Sequence, residues 1–291
     1  MRKLLTGVLV AGFWCSAATA ASSGTFVVGQ RGHVLVPVSI DGAEAKHFVL
    51  DTAASQTVLD PGQFPELKAE SPPPDTGFHA AHGAHGAVES QPTRLRTVAL
   101  WQSELQDQPA ALMSLAQLTP GHEPDFAGVL GVPYLRRYRL DLDYPRRRVT
   151  LDEIDGDQPA CDICTAATAI HVTPIIGGLP TVVVNVNGQR LIALLDTGAA
   201  YSILNDAATV ALGLSGGRQG SPAANVSLAL GDMPPVEHDL RLTGLPVFAR
   251  LGLASQPAMI LGIDFLSVGR TVLDLAGSRV WFAAAAKQST R

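Results

Sequence analysis

The sequence is short of charge, short of cysteine and, beyond its start, free of long apolar runs. Each shortage excludes something. Charged residues make up 16% of the 291, with a formal net charge of −5. A chain so modestly charged, with 46% hydrophobic residues, has ample material for a core and no compositional sign of disorder. It also lacks the clustered positive surface that phosphate binding needs, so no nucleic-acid partner is expected. The basic run Arg146-Arg147-Arg148 follows Tyr144-Pro145 and reads as a solvated hairpin turn. After the first twenty residues, no apolar stretch approaches the roughly eighteen needed for a membrane-spanning helix.

The start itself reads as a removable export signal over residues 1–20. Arg2 and Lys3 give a positive beginning, Leu4 to Trp14 is mostly apolar, and Ala18-Thr19-Ala20 offers a small-residue cleavage site. Bulky Phe13 and Trp14 before Cys15 argue against a lipid anchor there. The expectation is a periplasmic or secreted protein without stable membrane insertion. Cys161 and Cys164 then remain, spaced C-x-x-C, and an oxidising compartment allows them to close a local disulfide. A redox pair or half a zinc site are the alternatives. Zinc lacks a second ligand pair at suitable spacing, and the surrounding Asp, Gly and Pro argue against the helix that a redox motif opens.

An internal repeat organises the rest. Residues 48–59 read FVLDTAASQTVL and residues 193–204 read ALLDTGAAYSIL, with 145 residues separating Asp51 from Asp196. Downstream, VLGVPYLRRYRLDLDYPRRRVTL at 129–151 pairs with ILGIDFLSVGRTVLDLAGSRVWF at 260–282, where Gly131 matches Gly262 at an offset of 131. Two matching blocks in the same order imply a duplicated lobe. Each half also has a β-branched run ending in a hairpin signal, Val34 to Ile40 before Asp41-Gly42 and Thr181 to Val186 before Asn187-Gly188. Each hairpin returns through an apolar strand directly into Asp-Thr. Helix is scarce, with short candidates at Asn205 to Leu214, capped by Asn205 or Asp206, and at Val132 to Arg137. The lobes are expected at 21–155 and 169–287, joined by a linker at 156–168 that carries the C-x-x-C. Ser71 to Asp75 reads as a loop inside the first lobe, and the chain after Ala283 as a fraying end.

The repeated pattern is two hydrophobic residues, Asp-Thr, two small residues, and then a distant hydrophobic pair with Gly. Leu194-Leu195-Asp196-Thr197-Gly198-Ala199 with Ile260-Leu261-Gly262 fits it, as does Val49-Leu50-Asp51-Thr52-Ala53-Ala54 with Val129-Leu130-Gly131. This resembles the retropepsin-like aspartic peptidases, with two lobes fused in one chain as in pepsin. The resemblance spans most of residues 26–282. It implies an all-β fold of two β-barrel lobes related by a pseudo-twofold axis, with few helices. It implies an aspartic endopeptidase acting on an extended peptide or protein substrate, without cofactor or metal, and competent as a monomer. Asp51 and Asp196 would be the catalytic dyad, and the turns around them would be supported by Thr52, Ala53, Thr197 and Gly198. Gly131 and Gly262 would pack behind the turns, and Thr57 and Ser202 would add hydroxyls.

The family closes its cleft with a glycine-bearing hairpin. The corresponding spans are Gly77 to Gly86 in the first lobe, with His82, Gly83 and Gly86, and Gly216 to Asn225 in the second, with Gly220 near the tip. His79, His82 and His85 are spaced three apart, but the neighbouring glycines oppose a helix, and on a strand such positions face opposite sides. They are read as flap residues and not as metal ligands, with an exported metal-binding β protein as the competing view. One departure from the family pattern is Ala53, where glycine is usual. If the backbone there needs positive φ, the methyl costs about 1 kcal/mol, which leaves a catalytically impaired, peptide-binding relative as the alternative.

Overall fold

A computed structural model describes residues 21–70, 82–83, 86–87, 89–118, 124–154, 161–214 and 222–284. Two lobes of the same design are built from the two halves of the chain. In the first, Val34–Ile40 pairs antiparallel with Lys46–Leu50, which runs parallel to Gly128–Leu130. The order continues through Thr57–Leu59, Ser103–Leu112 and Gln91–Leu100, and this last strand returns to Val34–Ile40, closing a six-strand barrel. The second lobe repeats the circuit with Leu179–Val186, Gln189–Leu195, Ala258–Leu261, Ile203–Leu204, Val236–Leu242 and Pro222–Leu230. A short strand, Val27–Val28 or Thr173–Ile175, is added to the edge of each. Closure leaves few free edges, which suits strands whose inward side chains are apolar and fully buried.

The turn chemistry accounts for the hairpins. Asn187 and Gly188 both take positive φ, 49° and 83°, and form the two-residue loop between Val186 and Gln189. That is the mirror-image turn whose twist matches the strands it joins. Asp41 and Gly42 also take positive φ, 53° and 77°, in a turn closed by the Ala43 N–H on the Ile40 carbonyl at 2.9 Å, though that loop runs on to Lys46. The basic run is confirmed as a turn, with the Arg147 N–H donating to the Tyr144 carbonyl at 3.0 Å. Both expected helices form. Val132–Leu135 follows Gly131, and Asp206–Ala211 is capped by Asn205, whose side chain accepts the Ala208 N–H at 2.7 Å.

A third sheet belongs to neither lobe alone. Its strand order is Ser22–Thr25, Arg148–Glu153, Tyr138–Asp143, Gly269–Asp274, Arg279–Ala284 and Ile170–His171. The middle pair, Tyr138–Asp143 against Gly269–Asp274, joins one repeat to the other antiparallel. Arg139 and Asp152 form a buried ion pair at 2.8 Å within this sheet, and Arg270 reaches across the seam to Asp141 and Asp162. The principal core runs without interruption from Phe26 and Tyr134 in the first half to Phe265 and Phe282 in the second. The lobes therefore share a sheet and a core.

The segment after the first lobe differs from the sequence expectation in one respect. Cys161 and Cys164 are joined by a disulfide. The motif nevertheless starts a helix, Asp162–Ala166, which the Asp, Gly and Pro signals argued against. Cys161 Sγ accepts the Cys164 N–H at 3.1 Å, so the sulfur takes the capping role of an oxygen. The helix packs against Val272 and Trp281 of the shared sheet. Among the described residues, no helix is long and apolar enough to cross a membrane.

Candidate active site

In each lobe the hydrophobic strand that leaves the first hairpin ends at an Asp-Thr turn beside the parallel strand from the second repeat block. The Asp51 N–H donates to the Leu130 carbonyl at 3.0 Å, and the Asp196 N–H to Leu261 at 3.1 Å. The block matched at an offset of 131 thus supplies the strand that holds the block matched at 145. Gly131 and Gly262 then turn the chain away under the catalytic motif. A β-carbon at Gly131 would stand 2.4 Å from the Gln56 carbonyl oxygen, and one at Gly262 would stand 2.7 Å from the backbone of Tyr201. Contacts so close to backbone exclude any side chain at either position.

The two turns meet across the seam. Thr52 and Thr197 are both wholly buried and bond reciprocally. Each hydroxyl donates at 2.7 Å to a carbonyl of the opposite lobe, Thr52 to Leu195 and Thr197 to Leu50. Each also accepts the other's backbone N–H, at 3.1 Å and 3.0 Å. Four buried bonds over this small area fix the relative position of the turns, because none can break without leaving a polar group dry.

The carboxyls sit just beyond this grip, partly open to solvent. Asp51 Oδ1 accepts the Ala53 N–H at 2.7 Å, and Asp196 Oδ1 accepts the Gly198 N–H at 2.9 Å. Gly198 touches both acids. Its N–H holds Asp196, while a β-carbon on it would lie 2.3 Å from Asp51 Oδ2. The need for glycine here is one of space, since Gly198 is not among the positive-φ residues. Ala53 is not among them either, and its N–H keeps the carboxylate bond. The strain that alanine would bring at positive φ therefore does not arise. Alanine on one turn and glycine on the other make the pair unequal in sequence.

Both acids are pushed above the ordinary carboxylate range. For Asp51 the cause is burial, opposed by the N–H bonds from Ala53 and Ala54. For Asp196 it is burial first and then the negative charge of Asp51, opposed by Gly198 and Ala199. The charge of Asp51 thus acts on Asp196, as expected of two acids placed close together.

Further residues reach this centre that the sequence reading did not single out. His33 precedes the first barrel strand and lies against Gly198 of the opposite lobe. Burial lowers its pKa, Arg31 adds to that, and Asp125 and the Gly198 backbone oppose it. In the second lobe the Ile176–Gly178 turn plays the reciprocal part, with Gly177 against Ser55. Asp264 bonds to Ser202 behind the Asp196 turn at 2.7 Å and 2.9 Å. Asp264 had a visible signal, an acid set between apolar Ile263 and Phe265. His33 had none, because its contact is made to a residue 165 positions away. Of the flap residues, His82–Gly83 pairs antiparallel with Gly86–Ala87 as a small separate hairpin. Gly220, His79 and His85 lie outside the described residues.

Residues 36–134 match the family model described as aspartyl protease, a span that holds Asp51 and Gly131 in their expected order. Those residues, which build the first barrel, are similar to that family, and two fused six-strand barrels are consistent with a two-lobed, retropepsin-like arrangement. The match covers the first lobe, and the second repeats its barrel, its Asp-Thr turn and its supporting glycine. No curated protein matches the chain.

Proposed function

We propose that this protein is an aspartic endopeptidase in which Asp51 and Asp196 act as one dyad on a water held between them. The observation that carries the reading is the double contact of Gly198, which brings both carboxyls to one residue at the seam. The chemistry is that known from aspartic proteases in general. One carboxylate takes a proton from the water as its oxygen attacks the scissile carbonyl carbon. The other, protonated, gives its proton to the carbonyl oxygen. Collapse of the tetrahedral intermediate breaks the C–N bond, and a proton passes to the leaving amine. The proton belongs to the pair and is not assigned to either acid. A route in which the pair never carries more than one negative charge suits a site in which burial penalises a second.

The paired strands His82–Gly83 and Gly86–Ala87 are the candidate cover for the bound peptide, and both acids on one chain make a competent monomer. The apolar beginning of the sequence makes it an exported enzyme. Ala53 gives no support to an impaired, peptide-binding role, since its N–H still meets Asp51. The test is peptide-library cleavage with Asp51→Asn and Asp196→Asn as controls. Each substitution should cut turnover by at least roughly a hundredfold while folding is kept. A statine-containing peptide should inhibit the wild type stoichiometrically. Turnover retained in either variant defeats the assignment.

A further inference from the structure

The repeat that builds the two turns breaks at one position behind the second. Offset by 131 residues, Pro133 of the first lobe corresponds to Asp264 of the second. Asp264 lies in the first turn of the Ile263–Leu266 helix. Its Oδ1 accepts the Ser202 hydroxyl at 2.7 Å, and its Oδ2 accepts the Ser202 N–H at 2.9 Å. A hydroxyl has one hydrogen and two lone pairs. With the hydrogen committed to Asp264, the Ser202 oxygen turns a lone pair to the Gly262 N–H, 3.0 Å away. Gly262 follows Leu261, whose carbonyl receives the Asp196 N–H. A continuous path of bonds thus runs from the Asp264 carboxylate to the backbone of Asp196.

The first lobe has only part of this path. Thr57 stands in the place of Ser202, its hydroxyl lies 3.4 Å from the Gly131 nitrogen, and Pro133 offers no carboxylate to orient it. The second lobe adds a further member. His238, on the strand Val236–Leu242, brings Nε2 to 3.4 Å from Asp264 Oδ2, with its ring edge-on to Phe265.

We propose that Asp264 is a positioning residue for Asp196, its ionised carboxylate, supported by His238, orienting Ser202 and through it the second catalytic turn. The inference rests on the dyad reading above. It explains why an acid is kept in a half-buried place that the other lobe fills with proline. Burial pushes the Asp264 carboxyl up, but the His238 ring and the two Ser202 bonds outweigh it and leave it below the ordinary value. Asp51 and Asp196 move the other way. His238 is the titratable group that acts on this carboxylate from the barrel side, and Ser202 faces it as a neutral partner. Glu237 and Asp239 flank His238 but point to the other side of the strand, and Asp239 is engaged by Asn225 at 3.0 Å. Val226, opposite His238 on the next strand, is apolar.

The test is kcat and KM against pH for the full chain and for Asp264→Asn, His238→Gln, Ser202→Ala and Ser202→Thr. Asp264→Asn should lower kcat on the order of tenfold to a hundredfold, with KM nearly unchanged, since the loss is one of alignment at the reacting atoms. Ser202→Ala should follow it, and Ser202→Thr, which keeps the hydroxyl, should recover most of the loss. His238→Gln should lower kcat by a smaller factor, again with KM nearly unchanged, because Asp264 keeps its two Ser202 bonds and loses only its other partner. Should Asp264→Asn fold poorly, the pair Ser202→Ala and Ser202→Thr decides. Wild-type kcat in folded Asp264→Asn, or Ser202→Thr no better than Ser202→Ala, overturns the proposal. Asp51→Asn and Asp196→Asn run alongside separate the two failures. Activity in either of those defeats the dyad itself, whereas inactivity there with normal Asp264 and His238 variants defeats only the positioning role.

Discussion

Replacing Thr52 by valine removes a hydroxyl at nearly constant volume and isolates the bonds across the seam. Two partners lose their bond, the Leu195 carbonyl at 2.7 Å and the Thr197 N–H at 3.1 Å. Both are enclosed by residues with little or no exposure, so water cannot replace the lost group. A buried polar group left without a partner costs about 1–3 kcal/mol, which sets the expected loss at about 2–6 kcal/mol. That is a large share of the total stability of most proteins, about 5–15 kcal/mol. In a chain of this size it corresponds to a fall in Tm of about 2–4 °C per kcal/mol. Thr52→Ser is the control. It keeps the hydroxyl and gives up one methyl, at about 1 kcal/mol. The assay is urea and thermal unfolding of wild type, Thr52→Val, Thr52→Ser and Thr197→Val, followed by far-ultraviolet circular dichroism. The two valine variants should lose similar amounts, because the bonds are reciprocal. If Thr52→Val lies within 0.5 kcal/mol of wild type, roughly the scatter of a neutral surface change, the grip does not hold the lobes together and the reasoning fails.

Two further outcomes follow from the carboxyls themselves. Gly198→Ala places a methyl where Asp51 Oδ2 lies 2.3 Å away and should lower kcat by about tenfold or more, whereas Ala53→Gly should stay within a few-fold of wild type. Equal effects of the two substitutions, measured in one cleavage assay, would contradict the asymmetry of the pair. Stability should also depend on pH through the dyad. Both acids are raised in the fold, so the folded chain binds protons more tightly than the unfolded chain between the ordinary value of 3.8 and the raised values. Acidification through that window should therefore stabilise the wild type, and less so Asp51→Asn, which lacks one acid and the repulsion it exerts on the other. Parallel Tm-against-pH curves for the two proteins would show that the acids are not raised in this way.

Much of this site was legible because it was written twice. The Asp-Thr turns, their distant glycines and the hairpins before them appear at matching places in both halves, and each is a local consequence of chain chemistry. Asn187-Gly188 bends as it does because those residues accept positive φ, and Asn205 caps its helix because its side chain reaches the Ala208 N–H. Where a local signal misled, a local substitute explains it, as with Cys161 Sγ standing in for a capping oxygen.

The sequence by itself determined the strands, the turns and the two acids, since these depend on residues within a few positions of one another. Only the tertiary structure decided that the acids meet over Gly198, that each threonine bonds into the opposite lobe, and that Asp264 stands behind Ser202. Those facts depend on barrel closure and on the shared sheet, which bring together residues 60 to 150 positions apart. Periodicity and turn propensity extend over a few residues and carry no information about such approaches. They arise when apolar faces from both halves are buried in one core, which fixes the polar groups at its seam to within a hydrogen bond.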